Sequence, residues 1–289
     1  MLRGCTIING DLNISQLGDQ ADFSVFDYLQ KIEGNFLIRN NSLLTTISGF
    51  PSLTTIFDGF HILNNSSLTT ISGFPLLTTI SKGFIIFNNS SLTTISGFST
   101  LATISNGFSI NNNLSLTTIS EFPALSTVSQ EFDISNNLLL TNISGFPLLA
   151  TISNGFSINN NSSLTTISGF SSLTSIFYDF SIDNNSSLTT ISEFPSLSTV
   201  INDFSISNNS ALTAISGFSA FTTLYGGFII FNNSSLTTIY GFENLNPINY
   251  IANTEAYITS INICKTTYDS ISGYYGDNLS FTGSIDNSC

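Results

Sequence analysis

Leucine returns at Leu44, Leu68, Leu92, Leu116, Leu140, Leu164, Leu188, Leu212 and Leu236, a period of 24 residues with no insertion or deletion. The unit reads L-T-T-I-S-G-F-P-x-L-T-T-I-x-x-G-F-x-I-x-N-N-S-S, with apolar residues at unit positions 1, 4, 7, 10, 13, 17 and 19. A period this strict points to a solenoid. Each unit is too small to bury its own apolar side and must stack on its neighbours. About ten coils at a strand spacing of about 4.8 Å predict a rod roughly 48 Å long.

Within a unit, Gly59-Phe60-His61-Ile62-Leu63-Asn64 alternates in the period of a strand, with Phe60, Ile62 and Asn64 on one face and His61 and Leu63 on the other. Copies of this segment are expected to pair in parallel as one sheet along the stack. The Phe column from Phe36 to Phe228 and the Ile column from Ile38 to Ile230 would form its interior, and a second Phe column from Phe26 to Phe242 the far side. By parity, Asn40, Asn64, Asn88, Asn112, Asn136, Asn160, Asn184, Asn208 and Asn232 also point inward. Buried amides must be paired, so these are expected to form a structural ladder. Gly at unit positions 6 and 16 and Pro at position 8 mark turns, and the short Thr-rich L-T-T-I segments predict extended or irregular backbone. Residues 1–30 read as an N-terminal cap with an irregular first coil in which Gln16 replaces the ladder Asn. Residues 31–250 read as the regular repeat, and 251–289 as a C-terminal cap with strands at 256–263 and 279–285.

Composition narrows the function. Hydrophobic residues make up 41% of the 289-residue chain and Phe contributes 26, enough for a core, whereas charged residues are only 8%. A net charge of -13 lacks the basic footprint of a nucleic-acid binder or of a protein docking on anionic lipid. No apolar run is long enough to span a membrane. The opening MLRGCTIING has no apolar leader core, so the reading is either a cytosolic protein or a leader missing from the sequence. Cys5 shares the register of Leu53 and is expected in the core of the first coil. Cys264 and Cys289 either close the C-terminal cap as a disulfide or remain free, and the cysteine spacing carries no zinc signature.

The frame F-x-I-x-N-N-x-x-L-x-x-I-x-x-F-x-x-L-x-x-I resembles a leucine-rich repeat. More closely, CTIINGDLNIS at Cys5–Ser15 and LQKIEGNFLIRNN at Leu29–Asn41 resemble the opening of the receptor L-domain family, and the likeness runs from about Cys5 to Asn253. That family includes the ligand-binding L domains of the insulin and epidermal growth factor receptors and related repeats in fungal cell-wall proteins. The resemblance implies an all-β fold, a right-handed parallel β-helix with 24-residue coils of leucine-rich-repeat type. It also implies an extracellular binding or wall-associated role; the expected partner is a protein or glycan at a cell surface, and no cofactor is expected.

The outward strand positions can vary without disturbing the core. Position 18 reads Leu37, His61, Ile85, Ser109, Asp133, Ser157, Ser181, Ser205, Ile229, and position 20 reads Arg39, Leu63, Phe87, Asn111, Ser135, Asn159, Asp183, Ser207, Phe231. A small-polar middle is thus flanked by two apolar clusters, Leu63 with Ile85 and Phe87, and Ile229 with Phe231. Each is a candidate contact patch unless cap segments cover it. His61, the sole histidine, has no Cys or second His with which to hold a metal and reads as a solvent-facing strand residue, and no catalytic triad is implied. Asp133, Asp179, Asp183 and Asp203 come near one another by register, an arrangement compatible in principle with a cation or with glycoside hydrolysis. The reading adopted is nonetheless noncatalytic.

Two further features bear on location and function. N-x-S/T motifs at Asn13, Asn65, Asn89, Asn113, Asn142, Asn161, Asn185, Asn233 and Asn278 would line one edge with sugar in a eukaryotic secretory pathway. The stacked pairs Thr45-Thr46, Thr69-Thr70, Thr93-Thr94 and Thr117-Thr118 raise the alternative of an ice-binding surface. Strand alternation argues against it, because adjacent Thr residues on one flat face require either an inward Thr or a curved backbone.

Overall fold

The computed structural model describes residues 4–17, 22–245, 256–275 and 279–286. It is a parallel β-solenoid whose 24-residue coils stack in register. Each regular coil contributes one four-residue strand, such as Phe84–Phe87, and two-residue Thr-Ile strands such as Thr94–Ile95 and Thr103–Ile104. The four-residue strands pair from Leu12–Ser15 through Phe228–Phe231 and build the longest face. The second Thr-Ile segment of each coil pairs in an unbroken ten-stranded sheet.

In-register stacking makes each core side chain meet a copy of itself. Phe84 and Phe108 lie 5.1 Å apart with planes 4° from parallel, and Phe98 meets Phe84 edge-on at 5.2 Å and 88°. The two Phe columns therefore stack within themselves and interlock across the coil, a geometry favoured by the quadrupole of the ring. From Phe36 to Phe242 these rings are excluded from solvent.

The first Thr-Ile face is broken twice, for a reason visible in sequence. Unit position 6 is Gly with φ of +80 to +93° in most coils, and a β-carbon on Gly73 would come within 2.7 Å of the Gly49 nitrogen. Glu121 and Glu193 occupy this position in two coils and do not adopt positive φ, a region costly for a residue with a β-carbon. The sheet on this face is interrupted at their strands, between Thr94–Ile95 and Thr118–Ile119 and between Thr166–Ile167 and Thr190–Ile191.

The ends differ from the coils. At the first, Leu12 and Ile14 pair with Phe36 and Ile38 as the register requires. Cys5 is only half-buried there, and its thiol donates to the Ile7 carbonyl at 3.0 Å. The expectation of a core cysteine is corrected, because the first coil has no neighbour beyond it to complete its burial. At the other end, the strand Ala256–Cys264 pairs with Phe228–Ile230 through its first half and with Thr238–Ile239 through its second, tying two faces together. The strand Leu279–Asp286 adds to it, and between them lies a helix, Lys265–Tyr275. Its Thr267 and Ile271 are buried, spaced at one turn, and Tyr268 meets Phe281 at 5.2 Å. The Cys264–Cys289 pairing lies outside the described residues.

Candidate functional site

The outward face of the four-residue strands is a part of the coil where side chains differ from unit to unit, and the turn that follows fixes its border. The buried amide ladder is Asn41, Asn65, Asn89, Asn113, Asn137, Asn161, Asn185, Asn209 and Asn233, one residue beyond the series Asn40, Asn64, Asn88, Asn112, Asn136, Asn160, Asn184, Asn208 and Asn232 expected from parity. The expected residues adopt φ of +55 to +60°, the left-handed region that Asn tolerates better than most residues. That single rotation ends the strand's alternation, turns unit position 21 toward solvent and sends position 22 inward.

The ladder is dense. The Asn65 backbone N–H and side-chain Nδ2 both donate to Asn89 Oδ1, at 3.0 and 3.1 Å, while the same Nδ2 reaches the Ile38 carbonyl at 3.1 Å. At the first coil Leu17 takes the ladder position and donates its backbone N–H to Asn41 Oδ1 at 2.8 Å. Gln16 therefore replaces the left-handed Asn, with φ of +59°, rather than the ladder Asn.

Along the outward face, Leu63 lies beside Phe87 and His61 beside Ile85 in register. Phe87 is 38% exposed, with Leu63 and Ile85 half-buried next to it. At the other end Phe231 is 48% exposed and Ile229 half-buried. The six coils between Phe87 and Phe231 put the two patches about 29 Å apart. The strip between them is satisfied internally: Asp133 accepts from Asn111 Nδ2 at 2.7 Å and Ser135 Oγ at 2.8 Å, and Asp183 accepts from Ser181 and Ser207 hydroxyls at 2.8 and 2.7 Å. Asp179 and Asp203 accept from the next coil's backbone, at Asp203 and Gly227. Among the described residues no three of His, Cys, Asp and Glu converge as a metal-ligand set.

Position 16 is a third outward column that the sequence reading left out. It follows from the same parity as positions 18 and 20. Where it is Gly the face is notched, and where it is Glu131 or Asp179 the face carries a ridge. A cleft of about 350 Å³ lies over Gly83 and Gly107, with His61, Lys82 and Glu131 at its walls. A second, of about 540 Å³, lies over Gly155 between Glu131 and Asp179, with the half-exposed Tyr178 beside it. His61 lies over Gly59, in space that a β-carbon there would fill, and burial pulls its pKa below the ordinary histidine value against the opposing pull of Asp58. Asp58 is itself paired with Lys82 at 2.6 Å.

The Thr pairs resolve by curvature. Thr69 and Thr70 donate their successive backbone N–H groups to one carbonyl, Thr45, at 2.8 and 3.3 Å, so the segment bends and both side chains face outward. The first hydroxyl of the pair donates to the preceding coil, as Thr93 does to the Thr69 carbonyl at 3.1 Å, and the Thr93 and Thr94 hydroxyl oxygens sit 3.4 Å apart.

Residues 4–96 match the receptor L domain family model. The chain resembles that family over these coils, and its leucine-rich-repeat-like solenoid carries the same 24-residue register beyond them. Among solved structures, a leucine-rich repeat protein from Bacteroides ovatus aligns over 97% of this chain and 85% of its own, at 14% identity and a TM-score of 0.20. No curated protein matches. Among the described residues, no helix is long and apolar enough to cross a membrane.

Proposed function

We propose that this chain is a noncatalytic recognition or adhesion module, working outside the cell or at its surface, that holds a protein or glycan partner against the outward strand face. The observation that carries the reading is the exposed Phe87 beside Leu63 and Ile85, with a second aromatic, Phe231, farther along the same sheet. Exposed aromatics at the centre of a patch are the side chains that contribute most to binding energy. The carboxylates between the patches are engaged with neighbouring hydroxyls, amides and backbone, which suits a rigid polar surface better than acid–base work. The resemblance to receptor L domains supports the same reading.

The test is a binding screen on intact cells and immobilised glycans, comparing the wild type with an Ile85→Ser, Phe87→Ser double variant. The variant is expected to keep its fold by circular dichroism and lose at least about tenfold in affinity, or about 1.4 kcal/mol. Unchanged binding by a folded variant removes this patch from the surface.

A further inference from the structure

The amide ladder changes the meaning of the glycosylation motif in the coils. In the turn Asn64-Asn65-Ser66-Ser67 two N-x-S motifs overlap, one from Asn64 to Ser66 and one from Asn65 to Ser67. The same overlap occurs at Asn88, Asn160, Asn184 and Asn232, and Asn40 and Asn208 each begin a single motif, ending at Ser42 and Ser210. The sequence motif does not choose between the two amides of each turn, but the fold does.

N-linked transfer forms a bond from the amide nitrogen to C1 of a sugar. The nitrogen loses one hydrogen as a proton, and the lipid pyrophosphate carrier leaves with the bonding electrons. Asn65 has no hydrogen to give: it is 0% exposed, and Nδ2 donates to both Ile38 O and Asn89 Oδ1. Asn89 and Asn113 are held in the same way. Asn64, one residue earlier, has φ of +57° and its side chain is exposed. At Asn88, also exposed, one bond runs from Nδ2 to Asn64 Oδ1 at 2.8 Å, leaving the other hydrogen for exchange.

We propose that the first residue of these turns, exposed at Asn40, Asn64, Asn88, Asn160, Asn184 and Asn232 and half-buried at Asn208, is the acceptor for an N-linked glycan, and that the ladder residue after it is closed to modification in the folded protein. Transfer also acts on unfolded chain, so the fold selects which products remain soluble. A sugar on a ladder amide removes a buried donor and adds bulk where no space exists. The acceptors lie at unit position 21, next to the outward position 20, so the sugars border the strand face. The row has a gap at Asn112 and Asn136, where Leu114 and Leu138 stand in place of the motif serine and are 43% and 46% exposed. In the first of these coils the motif Asn113-Leu114-Ser115 survives on the buried amide alone, an internal control.

The full chain is to be secreted from a eukaryotic host and the soluble product mapped residue by residue by fragmentation mass spectrometry. Glycan is expected on Asn64 and on neither Asn65 nor Asn113. Ser66→Ala removes the Asn64 motif and leaves that of Asn65, whereas Ser67→Ala does the reverse. The first is expected to abolish sugar at this turn in soluble protein, the second to keep it. Ser162→Ala and Ser163→Ala repeat the comparison at Asn160 and Asn161 should either variant fail to be secreted. Sugar on Asn65 or Asn113 in folded protein, retention of it in Ser66→Ala, or a bare Asn64 in the wild type overturns the proposal.

Discussion

The two faces of a single strand, Phe132–Ser135, obey different rules. Phe132 and Ile134 face inward with no exposure, and residues of the same type precede and follow them in neighbouring coils. Asp133 faces outward between Ser109 and Ser157, and Ser135 between Asn111 and Asn159. The inward residues must stack on copies of themselves at the strand spacing, which restricts them to shapes that are self-complementary along the axis. A Phe ring meets this demand face-to-face, and the Asn137 amide meets it by accepting at Oδ1 from the Asn113 backbone N–H and donating from Nδ2 to Asn161 Oδ1. The outward residues have water as the alternative partner. Their variety is therefore cheap, and the sheet can carry a specific surface without risk to the rod.

The largest break in this comparison comes from the core. Phe132→Ala removes a ring stacked on Phe108 and Phe156 and edge-on to Phe146, and is expected to cost about 3–5 kcal/mol in equilibrium urea unfolding. Ser157→Ala, outward on the next coil, is expected to change stability by less than about 1 kcal/mol. Comparable costs for the two would mean that the faces are not energetically distinct.

The period, the parallel pairing and both Phe columns were legible because they rest on spacing, which the sequence displays directly. What escaped rests on local backbone rotation. Parity placed Asn64 inside, and no apolar pattern announces that its φ turns positive, since Asn-Asn reads alike in either register. Asn tolerance of the left-handed region was the available clue. The cap helix escaped because Lys265–Tyr275 is rich in Thr and Ser and has no partner repeat, so only Thr267 and Ile271 carry the turn spacing. The outward patches were legible as strand positions, whereas the notches over Gly83 and Gly155 required position 16 to be read as a surface column.

A second test asks which Asn belongs to the interior. Asn113→Ala leaves the buried Asn89 backbone N–H without its acceptor and removes the side-chain donor from the Ile86 carbonyl, and is expected to cost about 2–3 kcal/mol. Asn112→Gly keeps the left-handed turn available and is expected to stay within about 0.5 kcal/mol of wild type. The reverse order, measured by the same unfolding curves, would return the ladder to position 21.

The smallest effect concerns the one outward residue whose charge changes near neutral pH. His61 sits half-buried over Gly59, beside the Asp58–Lys82 ion pair, with Ile85 and Leu37 on the flanking strands. Burial disfavours its charged form and Asp58 opposes that tendency less strongly, so the folded pKa lies below the ordinary value of about 6.5. The unfolded chain therefore takes up the proton first as pH falls. Stability from this residue is complete above the unfolded pKa and declines as pH drops through it toward the folded value. Since His61 is the sole histidine, His61→Gln isolates the effect over pH 7.5 to about 5.5, a window in which reference carboxylates stay ionised. Wild type is expected to lose slightly more stability on acidification than the variant. Parallel curves would place His61 in free solvent, and a wild type that gained stability would mean that Asp58 outweighs burial, making this outward position more like an open ion pair than part of the packed face.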